Sequence, residues 1–325
     1  MFRVFRLTAA VIALGFPGHV LAQATVAYPE RPILMIVPLA AGSAADASLR
    51  LIANKMSADL GKPVTVENVA GAAGIIGAER GSRAAPDGYT VIGISDSVLT
   101  SAPQMQKNAR FDPLKDLAPV AQLADINWVL VAHPSFPPKT VAELVALAKG
   151  KPGSIDYSSG GLGSPQQMAM ELFKSKAGIN LTHVPYKGAT AALTDVVAGV
   201  VPVTFTAVSI AQPFIEAGTL KALATGGAKR SALLPNVPTV GEAGVAGYEW
   251  KTWVSLMAPP NTPPEIVAKL NTAALAALKD PDVNSKLVAT GFTPTGNTPE
   301  QFRANLAKDY ATMTEIIKSA GITPN

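Results

Sequence analysis

Residues 33–60, ILMIVPLAAGSAADASLRLIANKMSADL, decide the fold. Ile33–Val37 is a continuous apolar run, the pattern of a strand buried on both faces. Pro38 stops it, and Leu39–Ala45 is a loop of small residues around Gly42. Leu49, Ile52, Ala53, Met56 and Leu60 then recur at helical spacing, and Gly61 closes the helix. Ser43 and Asp46 fit the [ST]-x-x-[DE] cap that fixes where the helix begins. A strand, a small-residue turn and a helix N-terminus in that order form either a plain connection or a site for an anion. The candidate contacts in this loop are Leu39, Ala40, Ala41, Gly42, Ser43, Ala44 and Asp46.

The same unit recurs. Ile155–Tyr157 reads as a strand, Ser158–Ser164 as a Gly/Ser loop, and Ser164, Pro165 and Gln167 as cap, N1 and N3 of a helix. Two such loops in one chain strengthen the anion reading. The candidates here are Ser158, Gly160, Gly163 and Ser164. Between the two units, Val64–Glu67 and Tyr89–Ser95 read as strands, and Ser97 at the end of the second is a further candidate, because strand C-termini line clefts in such sheets. Alternating strands and helices predict α/β architecture with parallel sheets. Phe111–Pro119 reads as a Pro/Asp-rich linker, residues 226–247 as a long crossing segment, and Trp250–Ala258 as a late strand.

The chain of 325 residues is long enough for two domains, and 48% hydrophobic content can fill their cores. It has no cysteine, so disulfides, thiol nucleophiles and thiolate metal sites are excluded. Arg3 and Arg6, the apolar Leu7–Leu21 and the small-x-small Ala22-Gln23-Ala24 read as a signal peptide over residues 1–24, cleaved near Ala24. Removing it leaves 25 basic against 23 acidic residues, a balance of +2. No basic patch interleaved with aromatics points to nucleic acid. Gly71, Gly74 and Gly77 are spaced GxxGxxG, which is not a dinucleotide fingerprint, and no phosphate loop or GxSxG elbow occurs. His133 and His183 read as structural, and no His/Asp/Glu cluster has metal-ligand spacing. Catalytic residues, cofactors and metals are therefore not expected.

IVPLAAGSAADASLRLIA, VENVAGAAGIIGAE, AAPDGYT, YSSGGLGS, HVPYKGATAALTDVVAG and APPNTPPEIVAKLN together resemble the extracytoplasmic receptors of tripartite tricarboxylate transporters, the Bug family. The resemblance covers the mature chain and implies a class II periplasmic binding protein: two α/β lobes, two crossover strands and a central cleft. One lobe is then formed by residues 25–124 with 248–325 and the other by residues 125–247. It further implies a periplasmic monomer that holds a small carboxylate between the two loops and delivers it to membrane permease subunits. A sensor docking on a membrane kinase, or an exported hydrolase, are the rival readings. The family's aromatic residue after the first Pro is Leu39 here, its Gly-Gly pair is Gly42-Ser43, its helix-opening His is replaced by Gln166-Gln167, and its Phe-Asp is Phe205-Thr206. Thr206 carries no charge, which turns the expectation from an amino acid toward a plain mono- or dicarboxylate.

Overall fold

The protein is described from a computed structural model covering residues 28–39, 41–106 and 110–323. The expected signal peptide lies outside the described residues.

β1 (Ile33–Val37) leads through the Gly42 turn into α1 (Ala44–Leu60). Leu49, Ile52, Ala53 and Met56 make the buried stripe of α1, and Gly61 ends it in the left-handed conformation at φ 67°. β2 (Val64–Asn68), a tight turn over Gly71–Gly74, and α2 (Ile75–Ser82) follow. β3 (Thr90–Ser95) runs into two four-residue helices, α3 (Asp96–Leu99) and α4 (Ala102–Met105). β4 (Ala118–Ile126) then crosses toward the second half.

There β5 (Trp128–Ala132), α5 (Val141–Gly150), β6 (Asp156–Ser159), α6 (Pro165–Ala177), β7 (Thr182–Pro185), α7 (Ala189–Val197), β8 (Val203–Ala207), α8 (Val208–Glu216) and β9 (Lys221–Thr225) form the second lobe. The chain returns through β10 (Thr252–Ala258), α9 (Pro264–Lys279), α10 (Pro281–Ala289), β11 (Phe292–Pro294) and α11 (Pro299–Ser319). The first sheet has the order β11-β4-β10-β3-β1-β2, the second β7-β6-β8-β5-β9. Each is backed by its own buried cluster, with Met35, Leu49, Ile52 and Leu270 in one and Leu130, Tyr157, Phe173 and Phe205 in the other. Each such fully buried side chain contributes about 1.5–3 kcal/mol.

The sheets are mixed rather than parallel. β10 runs antiparallel to both β3 and β4, and β5 antiparallel to both β8 and β9. The parallel sets are β2-β1-β3 and β7-β6-β8. The C-terminal ends of those two sets launch α1, the Gly71–Gly74 turn and α3 in one lobe, and α6, α7 and α8 in the other. The expected linker is also shorter than Phe111–Pro119, since β4 already begins at Ala118. None of the described helices is long and apolar enough to cross a membrane.

Candidate functional site

The two loops singled out in the sequence fold into nearly the same object. In the first, Ser43 sits at φ −66°, ψ 155°, and in the second Ser164 sits at φ −67°, ψ 152°. Each serine hydroxyl accepts the N–H three residues on, from Asp46 at 3.2 Å and from Gln167 at 3.4 Å. Each of those residues then reaches back to the glycine before the serine. Gly42 N–H donates to Asp46 Oδ2 at 2.9 Å, and Gly163 N–H donates to Gln167 Oε1 at 2.7 Å. Both glycines have positive φ, 80° and 75°, a conformation that favours glycine.

What anchors the loops differs. Asp46 is buried and charged. Arg50 Nε donates to both its oxygens at 3.1 and 3.0 Å, and Asn68 Nδ2 donates to Oδ1 at 2.8 Å. Burial opposes its charge, but the hydrogen bonds from Asn68, Gly42 and Arg50 outweigh it and hold the carboxyl below its usual range. In the second lobe the anchor is neutral. Gln167 Nε2 lies 3.4 Å from His183 Nδ1, and His183 Nε2 lies 2.6 Å from Ser159 Oγ. Ser159 Oγ in turn accepts the Gly161 N–H at 3.1 Å.

Between the lobes lies a cavity of about 400 Å³. Its first-lobe wall is Pro38, Leu39, Ala70, Gly71, Ala73, Gly74, Ser97, Val98, Ser101, Ala102, Met105 and Gln106; its second-lobe wall is Leu162, Gly163, Ser164 and Pro165. Among the described residues no ionisable side chain lines it, and the polar groups there are three serine hydroxyls, one amide and backbone. A larger hollow, about 620 Å³, runs along α1 and β2 past Arg50 and Lys62, but it belongs to one lobe and faces no helix start.

Leu39, Ser97, Gly163 and Ser164 are thus brought together in one cavity. Ala40 lies outside the described residues. Ala44 is the first residue of α1; Ala41, Gly42 and Ser43 form the turn and cap before it and Asp46 is turned under the loop, and none of these four lines the cavity. Ser158 is fully buried and donates to Ala192 O at 3.0 Å. Gly160 packs against the start of α7, where a Cβ would lie 3.1 Å from Ala189 N. Thr206 is buried on β8 opposite Val129. Gly163 also gives its N–H to Gln167, so it shapes the cradle rather than donating into it.

The Gly71–Gly74 turn was absent from the sequence candidates. Ala72 and Ala73 hold φ 47° and 53°, left-handed values that alanine rarely adopts. Gln106 Nε2 clasps the turn by donating to Ala72 O at 2.7 Å. A Cβ at Gly74 would lie 2.6 Å from Val98 Cγ2, and one at Gly77 would lie 2.4 Å from Val69 O. Close approach of backbone to neighbours, not a nucleotide, explains that glycine spacing. The available signal was its position after a parallel strand, the same rule that selected Ser97.

The tripartite tricarboxylate transporter family receptor model matches residues 48–322. The chain belongs to this family of solute-binding receptors. BugT of Bordetella pertussis is 34% identical over 295 residues, 90% of either chain. A Rhodopseudomonas palustris protein solved with adipate is 34% identical, with a TM-score of 0.78 over 92% of this chain and 100% of that one. MatC of the same organism, solved with malate, is 31% identical, with a TM-score of 0.74 over 89% and 100% of the two chains.

Proposed function

We propose that this receptor captures a small organic carboxylate between its lobes in the periplasm, after removal of residues 1–24, and delivers it as a monomer to membrane permease subunits. The observation that carries the reading is the cavity between Leu39 and Ser97 of one lobe and Ser164 of the other, which has the start of α6 on its wall and, among the described residues, no ionisable side chain. A helix N-terminus contributes roughly half a positive charge, so the start of α6, with no acid in its first turn, offsets part of a carboxylate's charge without Arg or Lys. The hydroxyls of Ser97 and Ser164 serve as donors, while Leu39, Val98, Met105 and Leu162 wall the carbon skeleton. The adipate and malate found in relatives support this ligand class.

Closure hinges at Ala124–Trp128 and Tyr248–Lys251. These crossing segments are tied together by Trp128 Nε1, which donates to Thr252 Oγ1 at 2.9 Å, and by Lys251 Nζ, 3.0 Å from Asp125 Oδ2. Bending both at one place lets each lobe move as a body. Neither mature-chain histidine lines the cavity. His133 is held by Ser135 at 2.7 Å and His183 by Ser159, which favours a receptor over a hydrolase.

The test is thermal unfolding against a panel of mono- and dicarboxylates, with neutral sugars and cations as controls. A ligand at a hundred times its Kd adds about 2.7 kcal/mol, or roughly 4 °C in a chain of this size. A shift with a sugar or cation and none with any carboxylate overturns the proposal.

A further inference from the structure

Beneath the second-lobe loop, every hydrogen-bonding position of His183 is engaged in a way that fixes its tautomer. Gly163 N–H must meet an acceptor, so the 2.7 Å contact assigns oxygen to Gln167 Oε1 and places the amide NH2 toward the ring. Nδ1, 3.4 Å away, is then an acceptor, and the ring proton sits on Nε2, donating to Ser159 Oγ at 2.6 Å. Ser159 passes its own proton to Gly161 O at 3.1 Å while accepting Gly161 N–H. Neutral His183 therefore holds both Gly161 and Gly163 through one side chain each.

We infer that His183 is the positioning residue of the second-lobe cradle, and that protonating its ring turns the Gln167 amide and frees Gly163. An imidazolium carries N–H at both nitrogens and needs two acceptors. Nε2–H keeps Ser159. Nδ1–H faces the Gln167 NH2, so the amide must present its oxygen to the ring, and Gly163 then faces NH2. Gln167 has one oxygen and two claimants for it. The two arrangements are discrete, which makes the loop a two-state element rather than a graded one.

The surroundings favour the neutral ring. Tyr157 of β6 stacks on it with centroids 4.9 Å apart. From α6, Glu171 and Lys174 face it, bound to each other at 2.8 Å, and Glu171 also accepts the Tyr157 hydroxyl at 2.6 Å. On α7, Asp195 is turned away to the Tyr186 hydroxyl at 2.6 Å. Burial pushes His183 below its ordinary value; Glu171 opposes this and Lys174 adds to it. Proton uptake thus comes on the acid side of an ordinary histidine, and it changes the loop that walls the cavity at Gly163 and Ser164.

The functional consequence rests on the carboxylate-receptor reading; the switch does not, and its test needs no ligand. In protein labelled with nitrogen-15 at glycine and histidine, the Gly161 and Gly163 amides and the His183 ring are followed by NMR from pH 8 to pH 5. The expected result is a single midpoint shared by the His183 ring and the Gly163 amide, below the ordinary histidine value. In Gln167→Glu the side chain has two acceptor oxygens, so both Gly163 and Nδ1–H are satisfied, the midpoint moves above the ordinary value, and Gly163 no longer titrates. In His183→Gln the amide reproduces the donor to Ser159 and Gly163 is flat with pH. A Gly163 amide that ignores the His183 titration, or a Gln167→Glu midpoint that stays low, overturns the inference and leaves the ligand reading standing.

Discussion

The two Gly-Ser loops share a backbone but not a chemistry. Both are Gly-Ser-x-x-acceptor turns, with serine dihedrals that agree within a few degrees. In the first the acceptor is Asp46, a carboxylate with two oxygens, clamped by Arg50 and Asn68. In the second it is Gln167, with a single oxygen, backed by His183. A carboxylate at the third position of a helix cancels part of the positive field at that N-terminus. α1 is therefore largely neutralised by its own chain, whereas α6 has no acid in its first turn and keeps its field for a ligand. Geometry is duplicated, but only the second-lobe helix starts without an acid in its first turn.

The comparison breaks most visibly at its anchors. Asp46→Ala strands the Gly42 N–H and Arg50. Because Arg50 is 42% exposed and regains water, the loss is about 2–3 kcal/mol by chemical denaturation. Gln167→Ala, with no charge involved, costs about 1–2 kcal/mol. Equal losses from the two would show that charge is not what separates the loops.

Gly163→Val sharpens the contrast in binding. Both Gly42 and Gly163 hold positive φ, so valine strains either by about 1–3 kcal/mol. Only at Gly163 does the new side chain meet a cavity wall, with Met105 Cε 3.5 Å from the Cβ position, whereas at Gly42 nothing lies within 4 Å. Calorimetric titration with a stabilising carboxylate should show a loss of about a hundredfold for Gly163→Val and less than about fivefold for Gly42→Val.

Acid separates the anchors by sign. Asp46 is held below its ordinary range, so its contribution is present above the unfolded carboxylate value and disappears as pH falls through the lower folded one. Asp96, at the start of α3 beside Ser97, behaves in the opposite way. Burial pushes it up to about 8, against hydrogen bonds from Ser97 and Trp253. Its protonated form suits the fold, so its contribution is full below about pH 4 and is lost as pH rises toward about 8. Asp96→Asn should raise Tm by a few degrees at pH 9 and leave it unchanged at pH 4. Asp46→Asn should be most harmful near neutrality and approach the parent as acid protonates the carboxyl below its ordinary range.

The smallest effect is the most symmetric. Ser43→Ala and Ser164→Ala each remove a cap of the same geometry and should each cost about 1 kcal/mol in denaturant unfolding.

Much of this was legible in the residues. The buried run Ile33–Val37, the Leu49–Met56 stripe and the two capped Gly-Ser turns gave the repeating unit directly. Strand direction was not legible, because the wholly buried β10 reads alike in either sense, and only pairing with β3 and β4 makes it antiparallel. β4 was hidden by Pro119 near its start and by Gln122 and Asp125 within it, a strand with two register shifts and no clean alternation. Of the site, Leu39, Ser97, Gly163 and Ser164 were readable from strand ends and caps. Ser101, Met105 and Gln106 were not, since four-residue helices are too short to show a period. The partnership of His183 with Gln167 joins residues 16 apart through the fold and leaves no pattern in the chain.

The central claim is that both lobes grip one carboxylate in a shared cavity. It is tested most directly by adding the best-stabilising carboxylate to protein labelled with nitrogen-15 at glycine. The account predicts that the amides of Gly71 and Gly74 in one lobe and Gly163 in the other shift together along a single saturation curve. Shifts confined to one lobe, or two curves with different midpoints, would contradict it.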